Sequence, residues 1–350
     1  MFTNERKLNY VDAIREATEI EMARDDKVVM FGLDVDDPKG TFGTTKGLTE
    51  KFGANRCFGT PLAEDAMTGV AVGMSLAGYR PIHNHYRMDF STLAMNQLIN
   101  VAAKTHAMSG GVQNAPLVVR MLIGKSWGNG AQHTQSLYPL FMNIPGIKIC
   151  APSTPYDAKG CLEYAVRDNN PVIVVEHRML YYSTGYVPEG ELLVAPGQSR
   201  ITATGNDITL VGISYQHLEC MRAQNYLADI DISAEVIDPI WLNPLDIDTI
   251  EKSVRKTKKL IVVDNAWTQC GAGAEIVASL QERMGDISWQ AKRMGFAPTP
   301  CPTTPTLEDH FYPNAQNIAS AANDLVKGSV QGWMPALKEE LKSFEFKGPF

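Results

Sequence analysis

The run PVIVVEH, Pro171 to His177, sets four β-branched residues in succession between a proline and two polar side chains. A strand with one wet face alternates apolar and polar residues; a strand covered on both faces has no need to, and such strands belong to parallel sheets sandwiched by helices. Runs of the same kind recur as KVVMFGLD (27–34), APLVVRMLI (115–123), IKICAP (147–152), DITLVGIS (207–214), SAEVIDP (233–239) and KLIVVDN (259–265), with helix-period segments between them. That alternation predicts an α/β chain built from doubly wound sheets.

At 350 residues the chain is long enough for two domains with separate cores. The stretch YVPEGELLVAPGQSR, Tyr186 to Arg200, lacks helical periodicity and carries Pro and Gly near both ends, and a fresh strand and helix series follows it. We therefore expect a first domain over residues 1–185, a linker over 186–200 and a second domain over 201–330 with a four- or five-stranded sheet. Residues 331–350 follow a finishing helix pattern, NAQNIASAANDLVKG, and are expected to be an extension lying on a partner or on the surface.

Hydrophobic residues make up 44% and charged residues 20%, as in ordinary globular proteins, and the formal charge is −7 with Lys and Arg scattered. No basic stripe offers itself to a polyanion, so nucleic acid is not an expected partner. No apolar run approaches the ~18 residues a membrane helix needs, and the start reads as a charged helix, so a cytoplasm-like compartment is expected. The six cysteines are spread singly without a C-x-x-C pair, as reduced packing thiols would be.

One segment asks for a chemical explanation. In TPLAEDAMTGVAVGMSLAG, Thr60 to Gly78, an acidic pair precedes a run of small and apolar residues. Helical spacing starts the helix near Pro61 and puts Glu64 in its first turn, where free amides and the macrodipole favour an anion. That alone accounts for a Glu. Leu62, Ala66, Gly69 or Val70, Gly73 and Ala77, however, form a stripe of mostly small residues that admits another backbone or a flat ligand, so a functional carboxylate is the competing reading. Two other motifs are set aside. HNH at 83–85 puts two imidazoles on one strand face without a third ligand at metal spacing, and CGAGAEI at 270–276 lacks the full dinucleotide fingerprint.

TPLAEDAMTGVAVGMSLAGYRPI (60–82), MDFSTLAMNQLINVAAKTHAMSGG (88–111), GAQHTQS (130–136) and AVRDNNPVIVVEH (165–177) together resemble the β subunit of thiamine diphosphate-dependent 2-oxo acid dehydrogenases, the pyruvate, branched-chain and acetoin group. GLTEKFG (47–53) and PTTPTLEDHFYPNAQNI (302–318) extend the likeness from about Tyr10 to Lys327. The resemblance implies a transketolase-like pyrimidine-binding domain followed by a transketolase C-terminal domain. It implies that Glu64 hydrogen-bonds the cofactor's aminopyrimidine, that Phe90 and Leu62 line the cofactor, and that His133 donates to the substrate carboxylate or the intermediate's oxygen. Arg87, His85 and Gln132 become substrate candidates. The main chain at Leu117, Ala165, Asp168 and Asn170 becomes a candidate cradle for a monovalent cation such as K+.

The superfamily holds diphosphate and Mg2+ with a G-D-G motif followed by Asn, and G-D-G occurs nowhere in this sequence. The resemblance therefore implies an α subunit that carries it, an α2β2 assembly, and a lipoyl-bearing acyltransferase as acceptor. Leu33 stands where family members carry an acid, and Asn84, His85, Tyr86 and Arg87, with Lys125 and Trp127, bring polar and cationic groups, which suggests a polar or anionic substrate. Two other readings stay open at this point: half of a split carboligase or transketolase, and a scaffold subunit without a catalytic share.

Overall fold

The computed structural model describes residues 6–125 and 128–341, so Trp127 lies outside the described residues. The chain forms two compact units. The first holds residues up to Gly124 and Gln132–Ala195; the second takes Lys125–Ala131 and continues from Pro196.

In the first unit the order is β1 (Lys7–Asn9), α1 (Tyr10–Arg24), β2 (Val28–Gly32), α2 (Leu48–Phe52), β3 (Cys57–Gly59), α3 (Glu64–Leu76), β4 (Arg80–His85), α4 (Ala103–Met108), β5 (Val118–Ile123), α5 (Pro139–Met142), β6 (Lys148–Cys150), α6 (Pro155–Arg167), β7 (Val172–His177) and β8 (Thr184–Tyr186). A 3-10 segment, Met88–Ala94, and a π-helical one, Asn96–Ala102, connect β4 to α4. Strands run parallel in the order β6-β7-β5-β4-β2-β3. Every residue of β2, β5 and β7 is buried, which is what their unbroken apolar runs require. Helix starts follow capping chemistry: the Asn9 side chain accepts from the Asp12 amide, and Thr154 does the same for Asp157 ahead of Pro155.

The second unit contains β9 (Arg200–Ala203), β10 (Ile208–Gly212), α7 (Tyr215–Ala228), β11 (Ala234–Asp238), β12 (Trp241–Asn243), α8 (Ile247–Thr257), β13 (Lys259–Trp267), α9 (Ala272–Arg283), β14 (Gln290–Phe296), α10 (Pro305–Glu308) and α11 (Ala315–Lys327). Its five-stranded sheet has the order β14-β13-β10-β11-β9, parallel except for β9. One sheet face, with Leu210, Val236 and Ile261, packs on Tyr226, Leu227, Ile318 and Ala322 of α7 and α11. On the opposite face the Thr209 hydroxyl bonds Ser253 and Thr257 of α8 at 2.7 and 2.8 Å. The unit is thus wound on both faces. Sequence patterning missed β14, whose exposed, charged residues QAKR suit an edge strand.

The described part of the C-terminal extension lies on its own unit. Pro335 O accepts from Gln316 Nε2 at 2.7 Å, the Tyr226 hydroxyl accepts from the Lys338 amide at 3.1 Å, and Trp333 packs on the α7–α11 cluster. No disulfide joins the six cysteines, which are buried except for Cys270. Among the described residues no helix is long and apolar enough to cross a membrane.

Candidate active site

Parallel sheets place ligands beyond the carboxyl ends of their strands, because the loops diverge there and helix N-termini point inward. In the first unit the neighbours β4, β2 and β3 end at His85, Gly32 and Gly59. The residues that follow or end them line one shallow cleft, open to solvent: Leu33, Thr60 to Glu64, Met67, and His83 to Tyr86.

Glu64 is the first residue of α3, three residues later than Pro61, where sequence spacing started the helix. Ala63 before it offers no capping side chain, so the amides of the first turn are left for an anion or a ligand. The carboxylate is half-buried, borders the cleft, and has no hydrogen-bond or ion-pair partner among the described residues. Leu62, at the cleft's lip, is 71% exposed.

The small-residue stripe of this helix faces away from the unit's own core. Thr68, Ala71, Val72 and Ser75 are buried, whereas Ala66, Val70, Gly73 and Ala77 are exposed. Thr68, Val72 and Ser75 thus face the unit's own core, and the stripe is left open to another backbone or a flat ligand. A Cβ added at Gly73 would meet nothing within 4 Å.

Across the cleft, His83 and His85 are almost fully buried on one face of β4, with rings edge to face at 4.7 Å. His83 Nδ1 lies 3.4 Å from Phe31 O, and His85 Nε2 lies 3.0 Å from the Thr68 hydroxyl; His83 Nε2 and His85 Nδ1 have no hydrogen-bond partner among the described residues. A carbonyl only accepts, so His83 carries its proton on Nδ1 and presents Nε2 as an acceptor. Burial disfavours the charged imidazolium, bringing His83 down to about 4 and His85 well below the usual histidine range. The cationic character expected of His85 is therefore absent at neutral pH. Among the described residues no group of three or more His, Cys, Asp or Glu could hold a metal ion.

Arg87 is buried and its Nη1 donates to Gly124 O at 3.0 Å; it does not line the cleft. Phe90, half-buried on the 3-10 segment, meets His133 edge to face, with centroids 5.2 Å apart. His133 and Gln132 are exposed on an irregular loop. The fold thus gathers Glu64, Leu62 and His85 at one cleft, and Phe90 with His133 at a second position on the segment that packs against α3.

A residue beside Phe90 escaped sequence reading. Asp89 is 5% exposed, and its Oδ1 accepts from the Gln135 amide at 3.0 Å, in the loop of His133. Desolvation raises its carboxyl above the usual range, opposed by the Gln135 amide. The signal was present in MDFS, an acid amid apolar residues.

At the candidate cation loop, Leu117 O accepts from the Val172 amide at 2.9 Å, and Arg80 Nη1 donates to Val166 O and Asp168 O at 2.9 and 3.0 Å. Lys148 Nζ pairs with Asp168 Oδ2 at 2.7 Å and holds that carboxyl below the usual range against burial. Arg80 and Lys148 already bring positive charge there, and the carbonyls of Leu117 and Asp168 each keep one lone pair for an ion.

Comparison with known proteins fits this geometry. Residues 6–184 match the transketolase pyrimidine-binding domain model and residues 197–318 the transketolase C-terminal domain model. The chain is 41% identical to the acetoin:2,6-dichlorophenolindophenol oxidoreductase subunit beta of Cupriavidus necator, over 92% of this chain and 98% of the relative. The chain belongs to the E1 β-subunit branch of the transketolase family. Another member of the branch, the mitochondrial pyruvate dehydrogenase E1 component subunit beta of Dictyostelium discoideum, is 39% identical over 89% of both chains. A solved structure described as a split gene transketolase, inactive beta4 tetramer, shares the fold with a TM-score of 0.75 at 18% identity, covering 91% of this chain and 99% of that one. In this E1 β-like chain the cleft falls within the matched pyrimidine-binding domain.

Proposed function

We propose that this chain is the β subunit of a thiamine diphosphate-dependent 2-oxo acid decarboxylating dehydrogenase, supplying the pyrimidine-binding half of the active site and acting only with an α subunit. The observation that carries the reading is the Glu64 carboxylate, without a hydrogen-bond or ion-pair partner among the described residues, at the mouth of a cleft beyond β4, β2 and β3. An acceptor so placed fits a protonated ring nitrogen of an aminopyrimidine. When bound, thiamine diphosphate supplies the carbanion chemistry of 2-oxo acid decarboxylation.

This chain's residues orient and polarise. Glu64 holds a proton at the pyrimidine ring nitrogen, Phe90 and Leu62 supply apolar surface for the cofactor, and His133 donates to a substrate oxygen. His85, uncharged, offers hydrogen bonding in place of charge, while Gln132 completes the substrate side. Mg2+ and the diphosphate fall to the α subunit, because this sequence contains no G-D-G. An α2β2 assembly in the cytoplasm, with a lipoyl-bearing acyltransferase taking the acyl group, completes the proposal. A K+ ion on the carbonyls of Leu117, Ala165, Asp168 and Asn170 belongs to it too, through their remaining lone pairs. The dehydrogenase and oxidoreductase names of the relatives favour this reading over a split carboligase or a scaffold.

The test is Glu64→Gln in the complex reconstituted with its α subunit, assayed by reductive acylation of a lipoyl domain. Loss of about 100-fold or more in turnover, with assembly and melting unchanged, is expected when a proton-holding group is removed. Full turnover would refute the assignment.

A further inference from the structure

A catalytic side chain on an irregular loop has to be held in place, since misplacement by about 1 Å can cost roughly 100-fold in rate. His133 is exposed and sits outside any helix or strand. What fixes it comes from the neighbouring 3-10 segment. Asp89 Oδ1 accepts from the Gln135 amide at 3.0 Å, Met88 Sδ accepts from the Leu137 amide at 3.2 Å, and the Phe90 ring meets the imidazole edge to face. Three consecutive residues thus grip both the loop and the histidine.

Of these contacts the Asp89 bond is the strongest, because a carboxyl oxygen is a better acceptor for an amide than a thioether or a ring edge is. Its setting is costly. The side chain is 5% exposed, and Oδ2 is sealed from solvent without a hydrogen-bond partner among the described residues. Burial of a half-satisfied carboxyl destabilises the fold, so its retention calls for another role.

We infer that Asp89 is a positioning residue: it tethers the 132–137 loop so that His133 faces the reacting oxygen. The inference rests on the reading of His133 given above. The contact needs an acceptor at Oδ1 and not a charge, so asparagine suffices and alanine does not.

The experiment is a double-mutant cycle in the reconstituted complex, reading kcat, KM, thiamine diphosphate affinity and thermal midpoint. Asp89→Ala is expected to lower kcat about tenfold or more with cofactor affinity unchanged, and Asp89→Asn to recover to within about threefold of the parent. In a His133→Ala background, Asp89→Ala should have an effect of less than about twofold, because the group being positioned is gone. Amide exchange over residues 132–137 should rise in Asp89→Ala alone. Additive losses, or equal losses for Ala and Asn, would overturn the inference. Should Asp89→Ala fail to assemble, Gln135→Pro deletes the donor while leaving the carboxylate, with the same loss expected. If His133→Ala itself leaves turnover intact, the reading of His133 fails; if His133→Ala is damaging and Asp89→Ala is not, only the present inference fails.

Discussion

Glu163 offers a quantitative test of the packing in the first unit. It lies on α6, fully buried, beneath the segment that leaves this unit. Its Oε2 accepts from the Leu192 amide at 2.8 Å, while Oε1 has no hydrogen-bond partner and lies 4.0 Å from Lys159 Nζ. Lys159 is committed elsewhere, to Glu16 at 2.6 Å and to the carbonyls of Pro188 and Gly190 at 2.8 and 2.5 Å. Desolvation therefore dominates and lifts the Glu163 carboxyl from 4.5 to about 7, with the Leu192 amide and Lys159 opposing it and Glu21 adding repulsion. An acid raised in this way binds its proton more tightly in the folded state. Stability is fully supported below the unfolded value and falls as pH climbs from 4.5 to about 7. At 1.36 kcal/mol per unit the full window is worth about 3 kcal/mol, of which about 2.5 falls between pH 5 and pH 8. Glu163→Gln keeps an acceptor for Leu192 and cannot ionise. Urea unfolding of parent and variant at matched pH should show the variant gaining about 2–3 kcal/mol relative to the parent on going from pH 5 to pH 8. A difference that stays flat over this range would refute the desolvation argument.

Other consequences follow from single contacts. Arg120 and Glu176 form a buried pair, with Nη2 to Oε2 at 3.0 Å and the Tyr181 hydroxyl donating to the same oxygen at 2.7 Å; Arg120→Met should cost about 3–5 kcal/mol by stranding the carboxylate, and a midpoint shift under 1 kcal/mol would contradict this. Gly146 has φ +99°, and an added Cβ would come within 2.2 Å of Ala103 O, so Gly146→Ala should destabilise by at least about 1–3 kcal/mol in thermal unfolding. His83, brought by burial to about 4, should remain neutral at pH 5.5 in an imidazole NMR titration; for a histidine lowered in this way stability falls as pH drops from 6.5 toward 4, and His83→Phe should lessen that loss.

How much of this was legible beforehand depended on whether a feature is local. PVIVVEH and KLIVVDN read as doubly covered strands, and β7 is buried throughout while β13 is buried at all but its two end residues, because periodicity reports burial residue by residue. QAKRMGF did not, since an edge strand carries polar residues and owes its pairing to Lys259–Val263 beside it. Glu64 stood out for its composition and motif context. Asp89 did not, because its role is defined by an amide 46 residues away.

By itself, the sequence determined the α/β class, the series of buried strands, the family and the position of Glu64, all of which rest on local patterns and ordered motifs. Only the tertiary structure decided which way the small-residue stripe of α3 faces, that His83 and His85 are uncharged, and that Asp89 grips the loop of His133. Each of these depends on what surrounds a side chain in space, and desolvation, ring contacts and long-range hydrogen bonds leave no period in the chain that could be read in advance.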